Sequence, residues 1–189
     1  NGRTHVIGVV CHDITDPLVS YLLTAIEAEA EKQGYHLFIC TTYSGPMEEA
    51  RQGDAYINLL HEKRVDAILV FGERIIEAED YLADCPEVSF AVAAGITAKG
   101  TVCTASLDYF GAGVEAGEHL ASLGHREVAF LKGPHSSKSV ERRQAGLREG
   151  LKKSGAKLIT VGEDSASPFD QAGYEGITTI LASHPTVTA

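Results

Sequence analysis

The sequence predicts an α/β fold of two doubly wound parallel-sheet lobes around a cleft. Short apolar runs rich in β-branched and aromatic residues recur along the chain, nearly continuous rather than alternating, as strands buried on both faces of a parallel sheet require. Between them lie segments with helical apolar spacing, opened and closed by capping residues. This alternation, the mark of right-handed βαβ units, runs once over residues 1–94 and again over residues 95–189.

The first strand is read over residues 6–11. Asp16 is a candidate N-cap with Pro17 at the first helical position; Leu18, Leu22, Ile26 and Ala30 then form one apolar stripe, and Gly34 stops the helix. A second strand covers residues 37–40, and Pro46 precedes a helix opening with Glu48 and Glu49, whose carboxylates suit the positive end of a helix dipole. Strands at residues 67–71 and 90–94 complete the first lobe, and residues 95–100, bounded by Gly95 and Gly100, are the candidate connection. The second lobe opens with a strand at residues 102–105, followed by a helix carrying Asp108, Gly113, His119 and Leu120 that ends at Leu123-Gly124-His125. A strand at residues 128–131 leads through Gly133 into Ser136-Ser137-Lys138-Ser139-Val140-Glu141-Arg142-Arg143-Gln144-Ala145-Gly146. Gly155 ends the helix that follows, residues 158–161 form a strand, and Ser167-Pro168 opens the last helix. Residues 184–189, a Pro followed by β-formers, read as the entry to another buried strand, so the chain is expected to stop mid-fold with the C-terminal part of its second lobe missing. Two lobes this small are expected to share a cleft, with ligand beyond the carboxyl ends of their strands.

Charge narrows the function classes. With 26 Asp and Glu against 16 Lys and Arg, the formal charge of −10 makes the chain by itself a poor nucleic-acid ligand, because such affinity comes largely from cations neutralising phosphates. No apolar run approaches the roughly 20 residues that cross a bilayer, and the start of the chain leads directly into a strand without a signal-peptide pattern, so a cytoplasmic protein without membrane contact is expected. Cys11, Cys40, Cys85 and Cys103 lack any C-x-x-C pairing and read as buried free thiols.

Catalytic signatures are missing. Gly111, Gly113 and Gly117 approach a dinucleotide fingerprint, but the spacing is off by one and the glycines lie within a helix, where close helix packing explains them better. The eight histidines form no compact metal pattern, and neither a nucleophile elbow nor a P-loop is present. No enzyme activity, metal or cofactor is expected.

The succession from Ser106 to Gly150 resembles the effector-binding domain of LacI/GalR-type bacterial transcription regulators. Ile7-Gly8-Val9-Val10 with Asp13-Ile14-Thr15-Asp16-Pro17 resembles that family's opening strand and loop, and Tyr56-Ile57-Asn58-Leu59-Leu60 through Val65-Asp66-Ala67-Ile68-Leu69 its second helix and third strand. The resemblance implies a two-lobed ligand domain with a periplasmic-binding-protein type I-like fold. It further implies a homodimer, operator DNA bound by a helix-turn-helix region outside this chain, and repression relieved or imposed by a small effector, a sugar in preference to a purine. The alternative is a periplasmic sugar-binding protein of a transport system, which shares fold and cleft.

By position in the resemblance, Arg143 is the candidate that holds ligand hydroxyls or a carboxylate, a task suited to a rigid guanidinium fork; the competing reading is a surface arginine paired with Glu141 or Glu149. Ser137 and Ser139 match positions that supply hydroxyls, and helix capping explains them equally well. Leu18 and Val19 stand where the family often has aromatic residues facing ligand. Asp13, Asp16 and Asp108 are candidate acceptors for ligand hydroxyls, with N-capping the competing role for Asp16 and Asp108, while Ala93-Ala94 replaces an acidic position of the family.

Overall fold

The computed structural model describes residues 3–42, 55–60, 62, 65–71, 88–93, 102–132, 137–162 and 169–189. The chain divides into two compact units, Asn1–Ser106 and Leu107–Ala189. The expected openings of helices at Pro46 and Ser167-Pro168, and the 95–100 connection, lie outside the described residues.

In the first unit, β1 (Val6–Cys11), β2 (His36–Thr41), β3 (Ala67–Phe71), β4 (Ser89–Ala93) and β5 (Cys103–Ala105) form one parallel sheet in the order β2-β1-β3-β4-β5. Helix α1 (Pro17–Lys32) connects β1 to β2, and its chain leaves through Gly34 at φ 78°, a left-handed conformation that glycine adopts without steric cost. Near-continuous apolarity has the predicted consequence, since β1 to β4 feed two cores. Val10, Cys40, Ile68 and Val70 pack with Ile57, Leu60 and Val65 on one face. Val9, Cys11 and Phe71 pack with Leu23 of α1 on the other, joined by Leu22 and Ile26. Gly8 permits this closeness, because a Cβ there would meet Leu60 Cδ1 at 2.6 Å.

Three expectations need correction. β5 pairs in parallel with β4 (Ala91↔Cys103 through Ala93↔Ala105), so the strand assigned to the opening of the second lobe completes the first sheet, and the division falls after it. Leu18 does not join the core stripe of α1; it is 49% exposed, and Leu23 is buried in the core instead. Cys103 is exposed, because three residues at the end of the sheet leave its side chain uncovered, whereas Cys11 and Cys40 are buried free thiols as expected. Cys85 lies outside the described residues.

The second unit is built on α2 (Tyr109–Ser122), β6 (Glu127–Leu131), α3 (Lys138–Lys152), β7 (Lys157–Val161) and α4 (Phe169–Ser183). β6 and β7 are parallel, with Glu127↔Lys157 through Leu131↔Val161 in register, and Val128, Leu147 and Leu151 form the buried core beneath them. Gly124 (φ 89°) and Gly155 (φ 68°) end α2 and α3 as the sequence predicts. Residues beyond α4 run alongside β6, where Thr188 N–H donates to the Glu127 carbonyl (3.2 Å) and Ala129 N–H to the Ala189 carbonyl (2.7 Å). His125 Nδ1 bonds Thr188 Oγ1 at 2.8 Å, which gives His125 a structural role.

The glycines of α2 are packing positions. A Cβ on Gly117 would stand 2.6 Å from the Leu147 carbonyl oxygen and 3.0 Å from Gly150 Cα, and one on Gly113 would collide with the Arg143 carbonyl. From α3, Gly146 meets the Phe110 carbonyl and Gly150 the Val114 carbonyl in the same way. Contacts advance along both helices together, so α2 and α3 run in the same direction with their backbones touching.

Candidate functional site

Strand order places the first unit's candidate residues. In the order 2-1-3-4-5 the chain leaves β1 to one side and β3 to the other, which makes the carboxyl ends of that neighbouring pair the switch point at which open α/β sheets bind ligands. The loop from β1 into α1 lies there and carries Asp13 and Asp16. Asp13 Oδ1 accepts from the Thr15 N–H and from the Thr15 hydroxyl, each at 2.7 Å; these bonds, the backbone one foremost, hold its carboxyl below the usual range. Asp16 caps α1 by accepting from Leu18 N–H at 2.8 Å, the competing role foreseen for it. Leu18 is half exposed on the first turn, but Val19, one residue on, packs against the Val9–Leu23 core. Adjacent helical residues point about 100° apart, so the two cannot form one platform.

The second unit gathers its candidates around the first turns of α2 and α3. Asp108 caps α2, accepting from Gly111 N–H at 2.9 Å; a Cβ on Gly111 would lie 2.8 Å from the Asp108 carboxyl carbon, so glycine lets the carboxylate sit close over the helix end. Ser137 caps α3, its hydroxyl accepting from Val140 N–H at 3.3 Å and sharing a 2.8 Å hydrogen bond with the Ser139 hydroxyl. Arg143 sits one turn further along α3. Its Nε donates to the Ser139 carbonyl at 3.4 Å, and its guanidinium carbon lies over the Tyr109 ring, 5.6 Å from the centroid. Glu149, one acidic partner considered for it, pairs with Lys152 instead at 3.3 Å. Arg143 is exposed, so the remaining N–H donors of its fork are available to a ligand.

Tyr109 is the residue that the sequence reading passed over. The signal was present in the matched spacings Gly113-x-x-x-Gly117 and Gly146-x-x-x-Gly150, which set the register of two touching helices and so bring position 109 to position 143. The arrangement can offer hydroxyls and a cationic fork to a polar ligand. Among the described residues, no group of three or more His, Cys, Asp or Glu is placed to hold a metal ion, and no helix is long and apolar enough to cross a membrane.

Comparison with known proteins gives a consistent result. A family model described as periplasmic binding proteins and sugar binding domain of LacI family matches residues 4–189. The HTH-type transcriptional regulator DegA of Bacillus subtilis is 29% identical over 161 residues, covering 82% of this chain and 46% of that protein. The chain spans about half the length of the curated relatives it matches. Among solved structures, the Cra transcriptional dual regulator from Pseudomonas putida in complex with fructose 1-phosphate superimposes with a TM-score of 0.80 at 18% identity, over 95% of this chain and 65% of that one. A sugar-binding transcriptional regulator of the LacI family from Escherichia coli, complexed with phosphate, gives a TM-score of 0.75 at 23% identity, over 97% and 66%. At these identities the two structures speak for the fold alone.

Proposed function

We propose that this chain, which belongs to the family of periplasmic binding proteins and LacI-type sugar-binding domains, is the effector-sensing part of a bacterial transcription regulator acting as a repressor. Its ligand on this reading is a small hydroxyl-rich molecule, a sugar in preference to a purine. The observation that carries the reading is the exposed Arg143 fork beside the Ser137–Ser139 hydroxyl pair on the first turns of α3. A guanidinium makes paired, directional hydrogen bonds to vicinal hydroxyls or to an anionic substituent, and neighbouring hydroxyls can both donate and accept. The chain lacks an aromatic platform at Leu18 and Val19, which disfavours stacking on a purine. Asp108 in the second unit, and Asp13, Asp16 and Leu18 in the first, are further proposed ligand contacts, each aspartate using one carboxyl oxygen for its turn or cap and keeping the other for ligand.

Regulation follows from linkage. An effector that prefers one arrangement of the sensor shifts the operator affinity of the whole, homodimeric protein by its differential binding energy, typically about 1–3 kcal/mol. DNA contact is assigned to a helix-turn-helix region of the same protein, since a sensor of charge −10 repels phosphate. The test is calorimetric titration of the full-length protein with D-ribose, cellobiose, D-fructose 1-phosphate and guanine, repeated with Arg143→Ala. A sugar is expected to bind, and Arg143→Ala to weaken it roughly ten- to hundredfold, the worth of a charged hydrogen bond. The thermal midpoint should stay put because Arg143 is exposed. Binding of guanine alone, or unchanged affinity in the variant, would refute the reading.

A further inference from the structure

We infer that Tyr109 is a positioning residue for Arg143, its ring fixing where the guanidinium fork stands before any effector arrives; this rests on the reading of Arg143 as a ligand contact. Three observations converge. The guanidinium carbon lies 5.6 Å from the Tyr109 centroid, within the range at which the negative face of an aromatic ring attracts a cation. Both backbones are pinned, since Tyr109 is the first residue of α2 behind the Asp108 cap, and the Arg143 carbonyl lies directly against Gly113 of that helix. Among the described residues, no carboxylate stands within ion-pair distance of Arg143 to compete for it.

An arginine side chain has many rotamers and loses that freedom when it grips a ligand. A ring that already holds the fork moves this ordering cost from the binding event to folding, which raises affinity without a new ligand contact. Tyr109 therefore acts through Arg143, by way of the face of its ring. The ring alone matters, so phenylalanine should substitute for it and a branched aliphatic residue of similar bulk should not.

The decisive experiment reads Arg143 in the ligand-free, full-length protein. Side-chain protons above an aromatic face resonate upfield, so the Arg143 δ-methylene and Nε–H signals, assigned by their loss in Arg143→Lys, should stand upfield of the exposed arginines. Tyr109→Phe should keep that shift and Tyr109→Leu should abolish it, with both variants retaining the native circular dichroism. Titrated with the same panel of D-ribose, cellobiose, D-fructose 1-phosphate and guanine, Tyr109→Leu should bind the sugar roughly two- to fivefold more weakly than the parent, as the strength of an exposed cation–π pair dictates, and Tyr109→Phe as well as the parent. Unaltered Arg143 signals in Tyr109→Leu, or undiminished sugar binding by it, overturn the inference. If the parent protein binds no sugar, the sensor reading fails separately, and the resonance shifts alone decide whether Tyr109 positions Arg143.

Discussion

Replacing Gly117 with alanine tests whether the α2–α3 contact is as close as described. The added Cβ would stand 2.6 Å from the Leu147 carbonyl oxygen and 3.0 Å from both Gly150 Cα and Leu151 N, all of them backbone atoms that cannot rotate away. The helices must therefore separate by about half an ångström or more to restore van der Waals distance, and a gap of that size forfeits roughly a quarter to a half of the dispersion energy of each contact along the seam. Overpacking of this kind costs about 1–3 kcal/mol, against which alanine returns about 1 kcal/mol through its better helix propensity. A net loss of up to about 2 kcal/mol is expected. Gly173 of α4 supplies the control, since among the described residues a Cβ there meets nothing within 4 Å and Gly173→Ala should gain up to about 1 kcal/mol from propensity alone. Urea unfolding followed by far-ultraviolet circular dichroism measures both. A gain in stability by Gly117→Ala matching that of Gly173→Ala would refute the claim that the seam is backbone against backbone.

Two further predictions concern the thiols and the α3 cap. Burial foremost, with the nearby Cys40 and Asp13 adding to it, pushes the Cys11 thiol up to about 11, against 9.0 when free. Its folded value is raised, so stability is fully present below pH 9 and falls between pH 9 and 11, by at most about 1.4 kcal/mol per unit. Cys11→Ala should flatten that profile, and iodoacetamide at pH 8 should label Cys103 while sparing Cys11 and Cys40 in the native protein; labelling of all three would contradict the described burial. Ser137→Ala removes the α3 cap and should cost about 1 kcal/mol in urea unfolding, whereas Ser139→Ala, which caps nothing, should cost less than half of that.

Much of the fold was legible because two-sided burial leaves a continuous apolar run that few other structures produce. β1 and β3 were found at their observed bounds for that reason, and Gly34, Gly124 and Gly155 marked helix ends because only a left-handed residue fits there. β5 was found as a strand but given to the wrong sheet, since a three-residue run carries no information about its neighbour; its pairing is fixed by long-range hydrogen bonds to β4. The expected strand at residues 184–189 appears as a hydrogen-bonded segment beside β6 without regular strand geometry. For the candidate site, residue types and resemblance named Arg143, Ser137 and Ser139, but the competing local roles were invisible. The caps made by Asp16, Asp108 and Ser137 emerge only from backbone geometry, and the pairing of Leu18 with Val19 ignored the rotation between successive helical residues.

The segment beside β6 bears on the order in which the second unit assembles. β6 meets β7 across about 30 residues of chain, as Glu127↔Lys157 shows, but meets residues 188 and 189 only across about 60. Doubling the loop adds only about 0.6 kcal/mol of closure entropy, less than the net value of a single good hydrogen bond. The late partner thus joins at little topological cost, and by the same arithmetic it can leave without disturbing the pair already formed. Alternate residues along this stretch turn to opposite neighbours, Ala129 N–H of β6 donating to the Ala189 carbonyl and Lys132 N–H, one residue past the strand, to the Val161 carbonyl. One short strand therefore holds two reporters, whose amide exchange rates read the opening of the β6–β7 pair on one side and the release of residues 188–189 on the other.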